Sequence, residues 1–269
     1  MDLERYIIRI KLLKYLPFLI LAIILSGCAT TYNAATGRNE IIFINSASEA
    51  VIGESAAAQI TEKYKLIESG KDIDRLNMIG SRIAAVSDRQ DLEYKFYIID
   101  DKELNAFTIP GGHVYIFKGL YDELDDDELS AVMAHEIGHV AARHIVKKMQ
   151  VTLGYQVLST VALIAYTSNA DDDKKKQAGY AAYAGVMAFN LVALGYSRKD
   201  EFEADELSIK YTSNAGFDPQ GMIGALEKLN NQANKGLPVP YILRSHPYID
   251  QRITHLEELI ETRETSRYP

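Results

Sequence analysis

Cysteine is almost absent from this chain of 269 residues, and Cys28 is the only one. A single cysteine cannot form an intrachain disulfide, and a zinc site built on several thiolates is excluded. Basic residues are also in deficit, because 29 lysines and arginines stand against 37 aspartates and glutamates and the formal net charge is −8. Nucleic-acid binding, which requires a cationic face, is therefore not expected.

Repeats and composition breaks are absent as well. The sequence has no internal repeat, no long low-complexity segment and no change of composition that would divide it into several domains. Hydrophobic residues make up 47% of the chain, which is ample for a core. We therefore expect one folded domain behind the amino-terminal segment.

The amino-terminal segment has the layout of an export signal. Four basic residues lie between positions 5 and 14, an apolar run covers residues 16–25, and Leu-Ser-Gly immediately precedes Cys28. This resembles the lipobox of bacterial lipoproteins, which implies a signal peptide over residues 1–27 and lipidation of Cys28. An uncleaved transmembrane anchor and an ordinary signal peptide are the alternatives. By resemblance to enterobacterial lipoproteins, Ala29 in place of aspartate implies an anchor in the outer membrane, facing the periplasm.

The strongest chemical signal is the pair His135 and His139, with Glu136 beside the first histidine. Residues four apart lie on one face of a helix, where two imidazoles can bind one zinc ion while the carboxylate acts as general base on a water held by the metal. Acidic residues at 125–128 can cap this helix, and cations at 147–148 lie near its expected end. A buried amphipathic helix with two incidental histidines is the alternative.

Apolar periodicity predicts the elements around this helix. We expect residues 28–45 to form a tether that ends in a short strand or extended segment, and residues 46–269 to form the domain. The predicted elements are a helix that Ser46 or Ser48 caps and that runs to about residue 68, a helix over residues 73–86, and strands over residues 93–99, 105–109 and 113–117.

Two apolar stretches follow the histidine helix, over residues 151–166 and 180–195, with a charged hairpin at 171–176 between them. The first is shorter than the ~20 residues that a transmembrane helix needs, and both contain polar residues. We expect a buried or lid-like helical pair over the active-site cleft rather than membrane spans. The same stretches could also serve as a membrane-contacting or partner surface.

A catalytic zinc ion usually has three protein ligands and one open position. Glu201 and Asp205 are four apart, so Glu201 can complete the ligand set while Asp205 accepts a hydrogen bond from the free ring nitrogen of a ligating histidine. A solvated acidic helix face is the alternative. His144 would point away from the metal on a continuing helix and is rejected as a ligand. We interpret His113 and His255 as structural.

Four motifs together resemble the zinc metallopeptidases of the HtpX and CAAX prenyl protease family, a gluzincin clan. The resemblance covers residues 41–259. The motifs are Asn105-Ala106-Phe107 with Pro-Gly-Gly at 110–112, His-Glu-Ile-Gly-His at 135–139 followed by Arg143-His144, the stretch 197–205, and Ser-His-Pro at 245–247 with Arg252 further on. Spanning helices and appended helical repeats, which some relatives have, are missing after the signal, which implies a short periplasmic, lipoprotein-type member.

The resemblance implies a role for each matching residue. It implies His135, His139 and Glu201 as ligands of one zinc ion, Glu136 as general base, Asp205 as partner of a ligating histidine, His246 and Arg252 near the catalytic water and the developing oxyanion, and Asn105, Ala106 and Phe107 at the substrate-binding edge. From the residues alone, His246 could hydrogen-bond the tetrahedral intermediate or swing onto zinc and block its open position. A capping histidine and a surface arginine are the alternatives for the last pair.

The expected fold is α+β and mainly helical, a zincin-like domain with a small β-sheet that edges the active-site cleft. The expected function is zinc-dependent hydrolysis of peptide bonds, with little sequence specificity because pairing along a strand edge reads few side chains. The family implies unfolded or misassembled envelope proteins as substrates and the envelope assembly machinery as a partner. A chaperone-like or binding lipoprotein with a latched or vestigial zinc site is the alternative. A structural zinc protein is disfavoured by Glu136 and by the three-ligand set.

Overall fold

The computed structural model describes residues 30–154, 195–233 and 240–267. The signal predicted over residues 1–27, the anchor at Cys28, the charged hairpin at 171–176 and most of the two apolar stretches lie outside the described residues. Within the part that is described, no helix combines the length and the apolar character that crossing a membrane requires.

Helices form most of the described chain. They are α1 (Ser46–Lys63), α2 (Lys71–Ala84), α3 (Lys118–Glu123), α4 (Asp126–Ala141), α5 (residues 144–154), α6 (Arg198–Ala215), α7 (Gly221–Ala233), α8 (Tyr241–Ser245) and α9 (Ile249–Arg267). The strands are β1 (Thr30–Asn33), β2 (Arg38–Ile41), β3 (Leu66–Ile67), β4 (Lys95–Ile99), β5 (Ala106–Ile109) and β6 (His113–Phe117).

The central sheet has four strands in the order β3-β4-β6-β5. β4 and β6 are parallel, while the outer strands β3 and β5 pair antiparallel with them. The three strands predicted over residues 93–99, 105–109 and 113–117 are confirmed as β4, β5 and β6, each within two residues of its expected ends. β5 lies at the edge of the sheet, so one side of its backbone has no partner strand among the described residues.

Helices cover both faces of this sheet. On one face, Phe107 packs with Ala57 and Ile60 of α1. On the other face, Val114 and Ile116 belong to the main core, which also contains the apolar side chains of α2 and α4. α4 also contacts the edge strand β5. The sheet edge and the histidine helix are therefore neighbours, as the zincin-like fold requires.

A glycine-rich turn lets α1 come close to the sheet. Between β5 and β6, Gly111 and Gly112 have φ angles of 83° and 86°, a region that side chains disfavour. α1 crosses this turn at Gly53, where a β-carbon would lie 2.1 Å from the carbonyl oxygen of Pro110. Both backbones therefore depend on the absence of side chains at this crossing.

α1 begins slightly earlier than predicted, with Asn45 as its cap in place of Ser46 or Ser48, and it also ends early. The side chain of Asn45 caps its first turn by accepting a hydrogen bond from the backbone N–H of Ser48 at 2.9 Å. The predicted end at residue 68 is wrong, because the helix stops at Lys63 and the backbone of Tyr64 is extended. The following residues pair with β4 instead, so strand pairing wins over helix propensity here. α2 lies two residues earlier than predicted.

The histidine helix is shorter than predicted. α4 ends at Ala141, the backbone of Arg143 has a φ angle of 57°, and α5 begins at residue 144. The expectation of one helix reaching the cations at 147–148 is wrong. The expected direction of His144 is wrong for the same reason, since the break turns its side chain back toward α4. Its ring stands at 5.0 Å from that of His139, measured between centroids.

Residues 30–44, expected as a tether, contain a β-hairpin. β1 and β2 pair antiparallel, and the turn between them has Gly37 at a φ angle of 66°. After the hairpin, Ile42 packs against Ile145 and Val146 of α5. The boundary of the domain at residue 46 stays a prediction, but the hairpin itself is held against the helices.

Candidate metal centre

Local sequence fixes the start of each helix that carries the candidate ligands. At α4, the side chain of Asp125 accepts a hydrogen bond from the backbone N–H of Glu128 at 2.9 Å, and the side chain of Glu128 accepts one from the backbone N–H of Asp125 at 2.9 Å. At α6, Ser197 and Asp200 form the same reciprocal box. The acidic cap predicted for the histidine helix is therefore confirmed.

α4 and α6 approach each other closely at Gly138. A β-carbon there would lie 3.1 Å from the carbonyl oxygen of Ala204, so a larger residue would push the helices apart. Gly138 belongs to the His-Glu-Ile-Gly-His stretch itself. Its lack of a side chain lets the histidines of α4 face the carboxylates of α6.

The nitrogen and oxygen atoms of both helices converge in a buried pocket. The Nε2 atoms of His135 and His139 are 3.0 Å apart, and each lies 3.5 Å from an oxygen of Glu201. His246, which follows α8, places its Nδ1 atom 3.1 Å from Glu201 Oε1. One such atom from each of these four residues lies within 4.8 Å of the others, and all four residues are buried.

This set of atoms fits a divalent metal ion. Two imidazoles and a carboxylate are the nitrogen and oxygen ligands that zinc accepts. Among the described residues, Glu136 Oε2 and His246 Nε2 are buried without a hydrogen-bond partner. Buried polar atoms are rarely left in this state, so a ligand that lies between them is expected.

A carboxylate and a guanidinium hold the ring of His135 from behind. Asp205 Oδ1 lies 2.9 Å from Nδ1 of His135, on the side of the ring away from His139. Arg252 of α9 donates to both oxygens of Asp205, at 2.8 and 2.7 Å, and its Nη1 lies 2.9 Å from Glu201. The alternative of a surface arginine is wrong, since Arg252 is only 1% exposed.

The charges of the pocket follow from burial and from these contacts. Burial raises the pKa of Glu136, and this effect exceeds the lowering by the nearby His246, His135 and Arg252. Burial would also raise the pKa of Glu201, but His246 and Arg252 outweigh it and hold the value well below the ordinary one. The pKa of Asp205 is lowered in the same way, with Arg252 overcoming the effect of burial. Two ionised carboxylates thus stand beside one carboxyl group, Glu136, that takes up a proton more easily.

Two residues of the pocket were given no role in it by sequence reasoning. The ring of Tyr196 stacks on His139, with 3.7 Å between the centroids. Nδ1 of His144 lies 2.8 Å from Nδ1 of His139, and its Nε2 lies 2.9 Å from Glu203. Burial would raise the pKa of Glu203, but the bonds from His144 and Arg38 lower it to about 2, so this carboxylate is ionised. His144 belongs to one of the quoted motifs and Tyr196 directly precedes another, and these positions were the signals that could have pointed to them.

The other two histidines lie outside this group. His113 stacks on Tyr97 and shares a hydrogen bond of 3.1 Å with its hydroxyl. His255 stacks on Phe202 with 4.4 Å between the ring centroids, and its Nε2 lies 3.4 Å from Glu206. Neither histidine belongs to the group of candidate ligands in the described chain.

The predicted substrate edge lies where β5 ends the sheet. The carbonyl of Asn105 accepts a hydrogen bond from the backbone of Phe117 at 2.9 Å. Because such bonds alternate along an antiparallel pair, the backbone groups of Ala106 and Thr108 face away from β6. A cavity of about 620 Å³ lies beside this strand, lined by Asn105, Phe107 and Ile109 together with α1 and Tyr241.

A comparison with protein families agrees with this architecture. The model of peptidase family M48 matches residues 71–260, which is more than half of the chain. The chain belongs to peptidase family M48. The match contains α4 and α6, and it runs into α9 beyond Arg252. The expected zincin-like metallopeptidase fold and the zinc cofactor are thereby confirmed at the level of the family.

Several M48 metalloproteases are similar to this chain. The beta-barrel assembly-enhancing protease of Escherichia coli is 31% identical over 207 residues, which cover 76% of this chain and 42% of that protein. Metalloprotease YcaL of Escherichia coli is 27% identical over 89% of this chain and 93% of its own length. The mitochondrial metalloendopeptidase OMA1 of Schizosaccharomyces pombe is 33% identical over 69% of this chain and 52% of its own length. The chain thus spans less than half of the first relative and nearly all of the second.

Arg252 is expected to stabilise the metal-free protein. Arg252→Gln leaves Glu201 and Asp205 buried without their cation, and breaking a buried ion pair in this way costs roughly 3–5 kcal/mol. We expect a loss of that order in the free energy of unfolding of the metal-free chain, measured by denaturant titration. Arg244→Gln, at an exposed position, is the control and should stay within about 0.5 kcal/mol of wild type. Equal stability of the two variants would contradict the role of Arg252.

Proposed function

We propose that this chain is a zinc-dependent endopeptidase in which His135, His139 and Glu201 bind one zinc ion. The observation that carries the proposal is the buried convergence of these three residues and His246 next to Glu136. A bound zinc ion supplies Lewis acidity, which acidifies a water molecule and polarises the scissile carbonyl. Membership of family M48 supports the same assignment.

Glu136 is the general base of this proposal. It takes the proton of the attacking water and delivers it to the leaving amine. The raised pKa of Glu136, which burial causes, brings its proton affinity closer to that of a base working near neutral pH. Because Glu136 Oε2 has no other partner among the described residues, this oxygen is free for the transfer.

Asp205 and Arg252 position the site. Asp205 accepts a hydrogen bond from the Nδ1–H of His135, which leaves Nε2 of that ring unprotonated and able to bind the metal. Arg252 neutralises the carboxylates and supplies positive charge near the reaction, which favours the developing oxyanion.

The substrate is an extended polypeptide that pairs with β5. The outward-facing backbone groups of Ala106 and Thr108 can form hydrogen bonds to it, and the cavity beside Phe107 can take apolar side chains. Such pairing requires an unfolded segment. The similarity to a protease named for β-barrel assembly supports unfolded or misassembled envelope proteins as substrates, and envelope assembly machinery as a partner.

Replacement of the base tests the proposed reaction. Glu136→Gln keeps the shape of the side chain and removes its ability to accept a proton, so we expect the rate of casein cleavage to fall about 10²–10⁴-fold. Zinc content, measured by mass spectrometry of the metal, should stay at that of wild type. Unchanged cleavage by Glu136→Gln would overturn the proposed mechanism.

A second candidate is a binding or chaperone-like protein whose metal site is closed by His246. The observation in its favour is that His246 lies among the candidate ligands, with Nε2 3.5 Å from Glu136. If His246 closes the site, His246→Ala cleaves casein faster than wild type does. If His246 belongs to the catalytic machinery, the same variant cleaves more slowly. If neither zinc-loaded wild type nor zinc-loaded His246→Ala cleaves any unfolded protein, the binding function is favoured.

The proposed location is the periplasmic face of the outer membrane, with lipidated Cys28 as the anchor. The lipobox-like sequence supports the lipidation, and Ala29 supports the choice of membrane. We expect Cys28→Ala to lose incorporation of labelled fatty acid and to leave the membrane fraction. Ala29→Asp should keep the label and move to the inner membrane. Labelling of Cys28→Ala equal to that of wild type would contradict the anchor.

A further inference from the structure

A second chain of polar contacts leads away from the candidate metal ligands, in addition to the contacts of Asp205 and Arg252. It begins at His139, whose Nδ1 lies 2.8 Å from Nδ1 of His144. It continues from Nε2 of His144 to Oε2 of Glu203, at 2.9 Å. It ends at Arg38 of β2, which forms an ion pair with Oε1 of Glu203. The proposed function uses none of the last three residues.

Metal binding by His139 would determine which ring nitrogen carries the proton in His139 and in His144. If Nε2 of His139 binds the metal, its Nδ1 carries the ring proton and donates a hydrogen bond to His144. His144 must then accept at Nδ1, so its own proton lies on Nε2 and is donated to Glu203. Each contact joins one donor to one acceptor. No group in the chain has to compete for a proton.

A carboxylate thus holds each of the two candidate histidine ligands. One histidine contacts its carboxylate directly, and the other contacts it through a second imidazole. The ring of His135 donates directly to Asp205, which is paired with Arg252. The ring of His139 reaches its carboxylate through one inserted imidazole, that of His144. Partners of this kind orient a ligand and raise its affinity for the metal, because they fix the tautomer before the metal arrives.

The local fold explains how this series of polar contacts forms. The helix break at Arg143, with its φ angle of 57°, turns His144 back to face His139. Arg38 belongs to the amino-terminal hairpin, which a second ion pair, between Glu40 and Lys147, fastens to α5. The hairpin therefore contacts Glu203, which follows the candidate ligand Glu201 in α6, and it contacts α5, which follows the histidine helix α4.

We propose that His144, Glu203 and Arg38 are positioning residues for the zinc ligand His139, and that the amino-terminal hairpin thereby completes the metal centre. The inference rests on the proposed metal ligands. The partner of a ligating histidine is here a relay that ends at the start of β2, in a hairpin whose first strand begins two residues after Cys28. The segment nearest the proposed lipid anchor therefore contributes to metal affinity.

Zinc affinity of the full mature chain tests the proposal, measured by competition with a chromogenic chelator. We expect His144→Ala to weaken zinc binding by about 10–100-fold, since it removes the acceptor for the Nδ1 proton of His139. His144→Asn places an amide oxygen near the position of the lost nitrogen and should recover most of this loss. The visible spectrum of the cobalt-substituted chain should change with His144→Ala and return toward wild type with His144→Asn.

His255→Ala is the matched control. His255 is also a histidine with a carboxylate neighbour on α6, Glu206, but it makes no contact with a candidate ligand in the described chain. Its removal should leave zinc affinity within about twofold of wild type. Equal zinc affinity of His144→Ala and wild type would overturn the proposal, as would an equal loss in His255→Ala.

If His144→Ala does not fold, variants of Arg38 and Glu203, the residues of this contact series farthest from the metal ligands, test the proposal independently. The side chain of Arg38 is 46% exposed, so Arg38→Ala spares the core, and Glu203→Gln keeps the size of the residue. We expect about a twofold to tenfold loss of zinc affinity in each, less than for the inner residue. Unchanged affinity in both variants would overturn the role of the hairpin. Wild-type protein that binds no zinc would instead overturn the metal site itself.

Discussion

The structure depends on the burial of two carboxylates of α6 next to the histidines of α4. Glu201 and Asp205 are removed from water, and Arg252 is the guanidinium that contacts both. Without that cation the two negative charges would repel each other at close range in a medium of low dielectric constant. The closing helix α9 therefore does more than cover the core, because it supplies the charge that allows a carboxylate to reach the metal pocket.

The site also depends on glycines that allow backbone segments to come into close contact. Gly138 lets α4 and α6 touch, and the glycines beside Pro110 let α1 lie against the turn that ends the edge strand. These two close contacts between backbone segments bring the charged groups of α4 and α6 near the edge of the sheet. An extended substrate on β5 and a metal ion at α4 would be neighbours for this reason, since α4 packs directly on that strand.

Much of this site could be predicted from the sequence because its signals are local. The spacing of His135 and His139, the cap at Asp125 and the alternation in the strands each act within one element. The break at Arg143 could not be predicted, because Ala-Ala-Arg before it favours helix and only packing imposes the left-handed backbone. The contact between His144 and His139 could not be predicted for the same reason. The hairpin had one usable signal, Gly37 in its turn, but its contacts reach across more than a hundred residues.

X-ray absorption at the zinc edge, on the mature chain loaded with one equivalent of zinc, tests the central claim most directly. The account predicts a shell of two imidazole nitrogens at about 2.0–2.1 Å and carboxylate oxygen at about 2.0–2.2 Å, with the imidazole signal halved in His139→Ala. A shell of oxygen atoms alone, or a spectrum that His139→Ala leaves unchanged, would contradict it, because zinc would then be bound elsewhere.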